Sequence, residues 1–238
     1  MTDEQHNRTI LLLGEEKFKK LQNAHVLIVG LGGVGGYAAE QLCRAGIGKL
    51  TLIDADIVNE SNINRQIIAT HSNIGKIKTD AFENRLKDIN PYLKIIKQTV
   101  FISYENIEEI LQNSNPDYVV DAADTLMPKV NLIITCLKFN IPLISSMGAG
   151  GRLNPEKIQI ADISKTYNCG LARMLRKRLH KFGIRTGFKA VFSSEKVKPE
   201  HIIIEESKNK KTNVGTISYM PAIFGLFCAS VVIQDLIE

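Results

Sequence analysis

The 238-residue sequence lacks tryptophan and the cysteine patterns that mark metal or disulfide scaffolds. Its four cysteines are Cys43, Cys136, Cys169 and Cys228. No two of them have C-x-x-C spacing, so a structural zinc site is not expected. Three lie in apolar helical patterns and are expected in the core, whereas Cys169 adjoins a basic segment whose charges favour a reactive thiolate. The amino-terminal residues lack the basic and apolar regions of a signal peptide, so a cytoplasmic location is expected.

Long apolar runs are also scarce. The most apolar one falls in the predicted helix 219–237, and its densest part runs from Met220 to Ile233. That part is shorter than the roughly 20 residues that span a bilayer, and it contains Pro221. We expect a buried helix or a dimer contact, and membrane association of this helix stays open.

Acidic residues are absent from one stretch of the chain. Eight Lys or Arg residues and no acid lie between Lys165 and Lys189, which leaves 22 bases against 25 acids in the rest of the chain. A basic segment on a mildly acidic body favours a local site for a polyanion, although a solvated surface helix would give the same pattern.

Glycine, in contrast, is abundant directly after the first apolar run, residues 26–29. The glycines are Gly30, Gly32, Gly33, Gly35 and Gly36. A helical pattern over 34–45 and a second apolar run over 50–53 follow, and that run ends in Asp54. Glycines let the backbone turn and approach a phosphate at a helix N-terminus, and an acid at this spacing reaches a ribose. The stretch predicts half of a nucleotide-binding site.

The same alternation continues along the chain. Strands are predicted over 95–100, 118–121 and 141–145, and helices over 77–90, 104–112 and 126–139. This order predicts an α/β fold with a Rossmann-like, mostly parallel sheet and helices on both faces. Ligands bind such sheets beyond the carboxyl ends of the strands.

We divide the chain into three segments of one domain. Residues 1–24 form an arm with a helix over 15–22, preceded by a loose segment around Arg8. Residues 25–150 form the nucleotide-binding core. Residues 151–238 form a smaller α+β extension. The extension contains predicted strands over 158–162, 190–193 and 201–204, a basic helix over 171–182, a charged turn over 208–211 and the apolar helix.

Charged residues around the glycine loop bear on which nucleotide binds. Asp56 follows Asp54, Lys78 opens the next helix, and Asp124 follows a later strand. The long loop between Asp56 and Lys78 contains Asn62, Asn64, Arg65 and Gln66. A dinucleotide is usually held by backbone N–H groups, whereas a reacting triphosphate needs cations, and Mg²⁺ needs a carboxylate. ATP is therefore favoured over NAD.

Each of these residues also has a purely structural explanation. Asp56 could cap a turn, Arg65 could pair with Asp56 on the surface, and Asp124 could cap the next helix. An NAD-dependent dehydrogenase or a non-catalytic nucleotide sensor stays open on the residues alone.

Several motifs together resemble a known superfamily. They are GLGGVG, D-A-D, SNINRQ, Lys78 and D-A-A-D. This set is similar to the adenylating enzymes related to ubiquitin-activating enzymes, which include the thiamine and molybdopterin adenylyltransferases. Further stretches such as RTILLLGEE and NIPLISSMGAGGRLNP make the resemblance strongest to the branch of tRNA threonylcarbamoyladenosine dehydratases. The resemblance covers nearly the whole chain and is specific to about Thr166.

The resemblance implies ATP-dependent cyclisation of threonylcarbamoyladenosine beside the anticodon of tRNA, through adenylation of its carboxylate. It implies Arg65, Lys78, Asp124 and Arg8 as catalytic residues, with Arg8 acting across a homodimer. The implied ATP-binding residues are Gly30, Gly32, Gly33, Asp54, Asp56, Asn62, Asn64, Arg65, Gln66, Lys78 and Asp124, with Asp124 also binding Mg²⁺. The alternative is an adenylyltransferase acting on the Gly-Gly terminus of a sulfur carrier, which the missing C-x-x-C pairs disfavour.

The basic segment then predicts a tRNA contact. The residues expected to meet RNA phosphates are Arg173, Arg176, Lys177, Arg178 and Lys181. DNA is not an expected ligand. A sulfur-transfer partner such as a cysteine desulfurase stays open.

Overall fold

The structure, a computed structural model, describes residues 4–203 and 213–238. The strands are β1 (His25–Val29), β2 (Lys49–Ile53), β3 (Lys94–Gln98), β4 (Tyr118–Asp121), β5 (Leu143–Ser146), β6 (Ile158–Asp162), β7 (Lys189–Ser193), β8 (Ile202–Ile203) and β9 (Asn213–Val214). The predicted strands are therefore present, with ends that differ by a few residues. The predicted turn over 208–211 and the end of the predicted strand at Ile204 lie outside the described residues.

The helices follow the predicted pattern with one addition. They are α1 (Asn7–Leu13), α2 (Glu15–Asn23), α3 (Gly35–Ala45), α4 (Lys78–Ile89), α5 (Ile107–Ser114), α6 (Leu126–Lys138), α7 (Gly170–Leu179) and α8 (Tyr219–Ile237). The expectation of a loose segment around Arg8 was wrong, because that segment is helix α1. Gly14, at φ +81°, separates α1 from α2, so the two short helices meet at a glycine turn.

Seven strands form one sheet in the order β3-β2-β1-β4-β5-β7-β6. Strands β1 to β5 and β7 run parallel, and β6 pairs antiparallel with β7. The predicted Rossmann-like α/β fold is thus confirmed. The direction of strand order reverses between β1 and β4, and ligands bind such sheets at this reversal. The two strands from the extension complete the edge of the sheet beyond β5.

Two hydrophobic cores lie on opposite faces of the sheet, because successive side chains along a strand point to opposite faces. In β1, Val26 and Ile28 point to the face covered by α3, α4 and α8. Leu27 and Val29 point to the opposite face, covered by α5, α6 and α7. Successive strand residues face opposite sides of a sheet, and a parallel sheet covered on both faces needs apolar residues on both.

Helix α8 packs as a core helix on the first face. By length and composition it could also cross a membrane. Phe224, Cys228 and Val232 are fully buried, and a Cβ on Gly225 would lie 2.3 Å from the Val34 carbonyl oxygen. The expected buried role of this helix agrees with that packing, because the small residue lets α8 approach α3 closely.

The four cysteines are buried and free. Burial raises the pKa of the Cys43 and Cys228 thiols to about 12, as expected for core residues. Cys169 is also only 6 % exposed and packs in the second core. Its burial argues against the predicted reactivity, since a reactive thiol must be accessible.

A buried ion pair joins β4 to α6. The Lys129 ammonium lies 2.7 Å from the Asp121 carboxylate, and both side chains are fully buried. The Ser145 hydroxyl donates to the same carboxylate oxygen at 2.6 Å, and the other oxygen accepts the N–H of Ala123 at 3.2 Å. The pair therefore fixes the start of the loop that leads to Asp124.

We expect Lys129→Met to lower the free energy of unfolding by about 3–5 kcal/mol, because Asp121 would keep a buried charge without its cation. The matched control is Lys138→Met, on the same helix, whose pair with Glu108 is solvent-exposed. That change should cost under about 1 kcal/mol. Urea unfolding of both variants measures the difference, and equal losses would contradict the argument.

Candidate nucleotide-binding site

The glycine loop after β1 is packed against the end of β4. Gly30 has φ +86°, and a Cβ there would lie 2.8 Å from the Ala122 carbonyl oxygen. A Cβ on Gly35 would lie 1.8 Å from the Gly30 carbonyl oxygen. Larger residues do not fit at either position, so these glycines make the tight turn that the motif predicts.

Asp54 ties the glycine loop to the end of β2. One carboxylate oxygen accepts the N–H of Leu31 at 2.6 Å, and the other accepts the N–H of Asp56 at 2.8 Å. Burial raises the pKa of the Asp54 carboxyl above its usual range, and the Lys78 ammonium and these two N–H donors only partly oppose the rise. An ionised carboxylate has about four acceptor positions, so ribose hydroxyls can still be accommodated.

Lys78 opens α4 between two carboxylates. Its ammonium lies 2.8 Å from Asp56 and 3.7 Å from Asp54, and its side chain is only 5 % exposed. Asp56 therefore pairs with Lys78, and the surface pair with Arg65 considered above is not found. A phosphate arriving here would meet a cation that is already positioned by the protein.

The loop between β2 and α4 reaches the glycine loop. Asn62 is buried and accepts the N–H of Asn59 at 3.2 Å. The Arg65 guanidinium donates to the Ser61 carbonyl at 3.0 Å and to the Asn64 side chain at 2.7 Å. A Cβ on Gly33 would lie 3.1 Å from the Arg65 carbonyl oxygen. Arg65 is thus held next to the glycines by contacts within its own loop.

Gln66 has a polar atom without a partner. Its side chain is buried, and its Oε1 atom has no hydrogen-bond partner among the described residues. Its Nε2 atom would lie 3.6 Å from a Cβ on Gly32. Because an unsatisfied buried polar atom is costly, its position at the glycine loop fits a site that is completed by a ligand.

Asp124 lies in the loop between β4 and α6, where it is exposed. The N-cap position of α6 is Thr125, one residue beyond Asp124. Ala122, two residues earlier, touches Gly30. Asp124 is therefore placed at the same edge of the sheet as the glycine loop, Asp54 and Lys78.

The extension also contributes to this edge. The Asn64 amide donates to the Thr216 carbonyl at 3.0 Å, and a Cβ on Gly33 would lie 3.0 Å from the Cβ of Pro221. Thr216, just before α8, and Pro221, inside α8, thus pack next to the glycine loop and the loop that contains Asn64. Sequence reasoning missed these contacts, because Asn64 and Thr216 are 152 residues apart and Gly33 and Pro221 are still further apart.

Arg152 is a second residue that sequence reasoning missed. It is 3 % exposed and follows the loop after β5. Its guanidinium donates to the carbonyls of Gly148, Gly150 and Asn168, which ties this loop to the start of α7. Its Nε atom has no partner among the described residues. Only the run of glycines before it hinted at a structural role.

Arg8 lies away from the crevice of its own chain. It is exposed on α1, and nearby His6 packs against Phe18 and Gly46, where the chain enters β2. That is the amino edge of the sheet, whereas the site lies at the carboxyl edge. The structure does not bring Arg8 together with the other predicted site residues of the same chain.

The basic helix α7 and the short turn after it (His180–Phe182) present most of their cations to solvent. Arg173, Lys177, Arg178 and Lys181 are exposed. Arg176 is partly buried and donates to the Thr166 hydroxyl. Four of the five predicted RNA-contacting residues are therefore accessible, and Arg176 also supports the fold of the extension.

Fold and site together define a nucleotide-binding α/β protein in which three acids and two cations lie around a glycine loop. The ThiF family model matches residues 6–238, and the chain belongs to that family.

Individual relatives are similar over nearly the whole chain. The tRNA threonylcarbamoyladenosine dehydratase of Bacillus subtilis (strain 168) is 39% identical, over 98% of this chain and 95% of the relative. The E. coli tRNA N6-threonylcarbamoyladenosine dehydratase in complex with ATP superposes with a TM-score of 0.89 at 35% identity, covering 98% and 93% of the two chains. Its AMP complex gives a TM-score of 0.88. The adenylyltransferase and sulfurtransferase uba4 of Aspergillus niger matches only 56% of this chain and 27% of its own length, at 39% identity.

We expect Asp54→Asn to weaken ATP binding about tenfold or more, because a carboxamide accepts the ribose hydroxyls without the strength of a charged acceptor. Because the NH2 group of the new carboxamide would face the N–H of Leu31 or of Asp56, thermal unfolding without nucleotide checks that the variant is folded. Isothermal titration with ATP measures the change. The control is Asp162→Asn, whose carboxylate accepts N–H groups of Ser164 and Gly187 in the extension. Equal affinities in the two variants would contradict the assignment.

Proposed function

We propose that this chain is an ATP-dependent dehydratase that cyclises threonylcarbamoyladenosine in tRNA. The observation that carries the proposal is the set of charged residues at the carboxyl edge of the sheet, which suits a reacting triphosphate. The two tRNA threonylcarbamoyladenosine dehydratases named above support it, since each matches over nearly its whole length. The uba4 match covers only 56% of this chain and 27% of the relative, which gives the sulfur-carrier alternative less support.

The proposed reaction has two steps. The carboxylate oxygen of the threonylcarbamoyl group attacks the α-phosphorus of ATP, and pyrophosphate leaves. A nitrogen of the same side chain then attacks the activated carbonyl carbon and loses its proton, while AMP leaves with one former carboxylate oxygen. The substrate thereby loses one water. Because the attack is intramolecular, proximity supplies much of the acceleration without a side-chain nucleophile.

In this proposal the cations stabilise charge as it develops. Arg65 and Lys78 face the phosphates, and pyrophosphate gains negative charge as it leaves. Asp54 and Asp56 hold the ribose side of the nucleotide and position Lys78. Asn62, Asn64 and Gln66 support the phosphate loop, and Gln66 has an acceptor available for a ligand.

Mg²⁺ fits this site only together with the nucleotide. Among residues 4–203 and 213–238, no group of three His, Cys, Asp or Glu residues could hold a metal ion. Mg²⁺ usually takes one or two carboxylates and substrate phosphates. Asp124 would supply the carboxylate, and the ion would neutralise phosphate charge.

A homodimer would complete the site. Arg8 stands at the amino edge of its own sheet, and Leu11 and Leu12 beside it are 88% and 83% exposed. An apolar surface of this kind on a short helix suits a protein contact. We propose that Arg8 reaches the nucleotide bound to a second copy of the chain. We also propose that the protein acts in the cytoplasm, where tRNA is modified. The buried cysteines give no support to a sulfur-transfer partner.

We expect the purified protein, with ATP, Mg²⁺ and modified tRNA, to convert threonylcarbamoyladenosine to a product lighter by one water, as measured by nucleoside mass spectrometry. Arg65→Ala should reduce this turnover by about 100-fold or more, since it removes a cation from the transition state. ATP turnover that depends on a Gly-Gly carrier and not on tRNA would indicate the sulfur-carrier alternative. Unchanged turnover in Arg65→Ala would contradict the role of Arg65.

Complementation tests the contribution of Arg8. We expect Arg8→Ala and Asp124→Asn each to abolish activity alone. Co-refolding equal amounts should restore about a quarter of the sites, because each mixed dimer contains one site with both native residues. The specific activity of the mixture measures this, with co-refolded wild type as the reference. If Arg8 acts in its own chain, the mixture stays inactive.

A further inference from the structure

One face of α7 and the short turn after it has a composition unlike the rest of the helix. Met174, Lys177, Arg178 and Lys181 follow at spacings of three and four residues, so they share one side. Leu175 and Leu179 point the other way into the core. Met174 stays 48 % exposed although it is apolar. This side therefore combines an uncovered apolar residue with three cations.

The same side forms a cleft with the start of α6. The cleft has a volume of about 290 Å³ and is lined by Leu126, Met174, Lys177, Arg178 and Lys181. None of the lining residues is an acid. This volume is at the lower limit of small-molecule sites, which start at about 300 Å³, so the cleft suits a ligand group no larger than one base. Its charge excludes a cationic ligand and favours a phosphate-bearing one.

The cleft is next to the candidate nucleotide site. Leu126 begins α6 directly after the loop that carries Asp124, so this cleft residue is two positions beyond that acid in the chain. Two residues of chain span at most about 7 Å. A substrate whose reactive group reaches the ATP phosphates would therefore place its neighbouring groups within reach of the cleft.

We propose that this cleft takes an unpaired nucleotide next to the modified adenosine of the substrate RNA, an inference that rests on the proposed function. The base lies against Met174 and Leu126, and the phosphates on either side of it meet Lys177, Arg178 and Lys181. Single-stranded RNA is recognised through such splayed bases combined with backbone charge contacts. An acidic peptide would satisfy the cations, but it would not need the apolar side chain between them.

The test is a double-mutant cycle on binding. Anticodon stem-loop RNA carrying the modification is compared with two forms that lack the base on one side or the other of the modified adenosine. For one of these forms, wild-type affinity should fall about fivefold or more. Met174→Ala should weaken binding of the intact RNA similarly and should show no further loss with the abasic RNA, because both changes remove the same contact.

A matched control is Met127→Ala. Met127 is 51 % exposed, close to Met174 in exposure, and it does not line the cleft. This variant should keep the full penalty for the missing base. The proposal would be overturned if the missing base weakened binding to Met174→Ala as much as it weakens binding to the wild type. It would also be overturned if the missing base had no effect on binding in either variant.

The contribution of the cleft cations is tested separately, through the salt dependence of RNA binding. Lys181→Met should reduce the slope of log affinity against log salt by about 0.7 for single-stranded RNA, since one phosphate contact is lost. Lys138→Met, which changes an exposed lysine at the end of α6 that does not line the cleft, should leave the slope unchanged. An unchanged slope in Lys181→Met would contradict the phosphate contact.

Binding and turnover are measured separately, so the two proposals fail separately. Coupling between Met174 and the missing base, without ATP-dependent loss of water from the RNA, would support the cleft and overturn the proposed function. Turnover by the wild type without that coupling would support the function and overturn the cleft.

Discussion

The buried carboxylate of Asp54 is the constraint on which the site depends. Its two oxygens bind the N–H groups of Leu31 and Asp56, so one side chain fixes both the glycine loop and the acid after β2. Asp56 in turn positions Lys78 at the start of α4. Burying this charge is unfavourable, as the raised pKa of Asp54 reflects. The local hydrogen bonds offset part of that cost and tie the glycine loop to the end of β2.

A second buried charge organises the neighbouring strand. Asp121 holds Lys129 and Ser145 in the core and accepts the N–H of Ala123, which sets the path of the chain towards Asp124. The loop passes Gly30 closely enough that no larger residue fits there. The two strands at which the sheet order reverses therefore lead into loops that hydrogen bonds and close backbone contacts hold in place. Such loops suit a reaction whose catalysis rests mainly on positioning and charge.

Much of the fold was predictable because short-range patterns specify it. Alternating apolar runs and helical patterns from β1 to β5 required a parallel sheet, and glycine spacing marked where it binds a nucleotide. The helical segment at Arg8 was missed, because a glycine turn and two solvent-facing leucines hide its pattern. Lys129 was also overlooked, although a lone lysine on the buried side of an apolar helix was a visible sign of an internal ion pair.

The sequence by itself determined the residue types of the site, since glycines, acids and cations follow successive strand ends at spacings that parallel strands bring together. Only the tertiary structure decided their partners. Asp56 pairs with Lys78 and not with Arg65, Pro221 and Thr216 close the site from the far end of the chain, and Arg8 lies at the opposite edge of the sheet. These contacts join residues distant in sequence, and their geometry depends on the packing of whole elements, which no local pattern encodes.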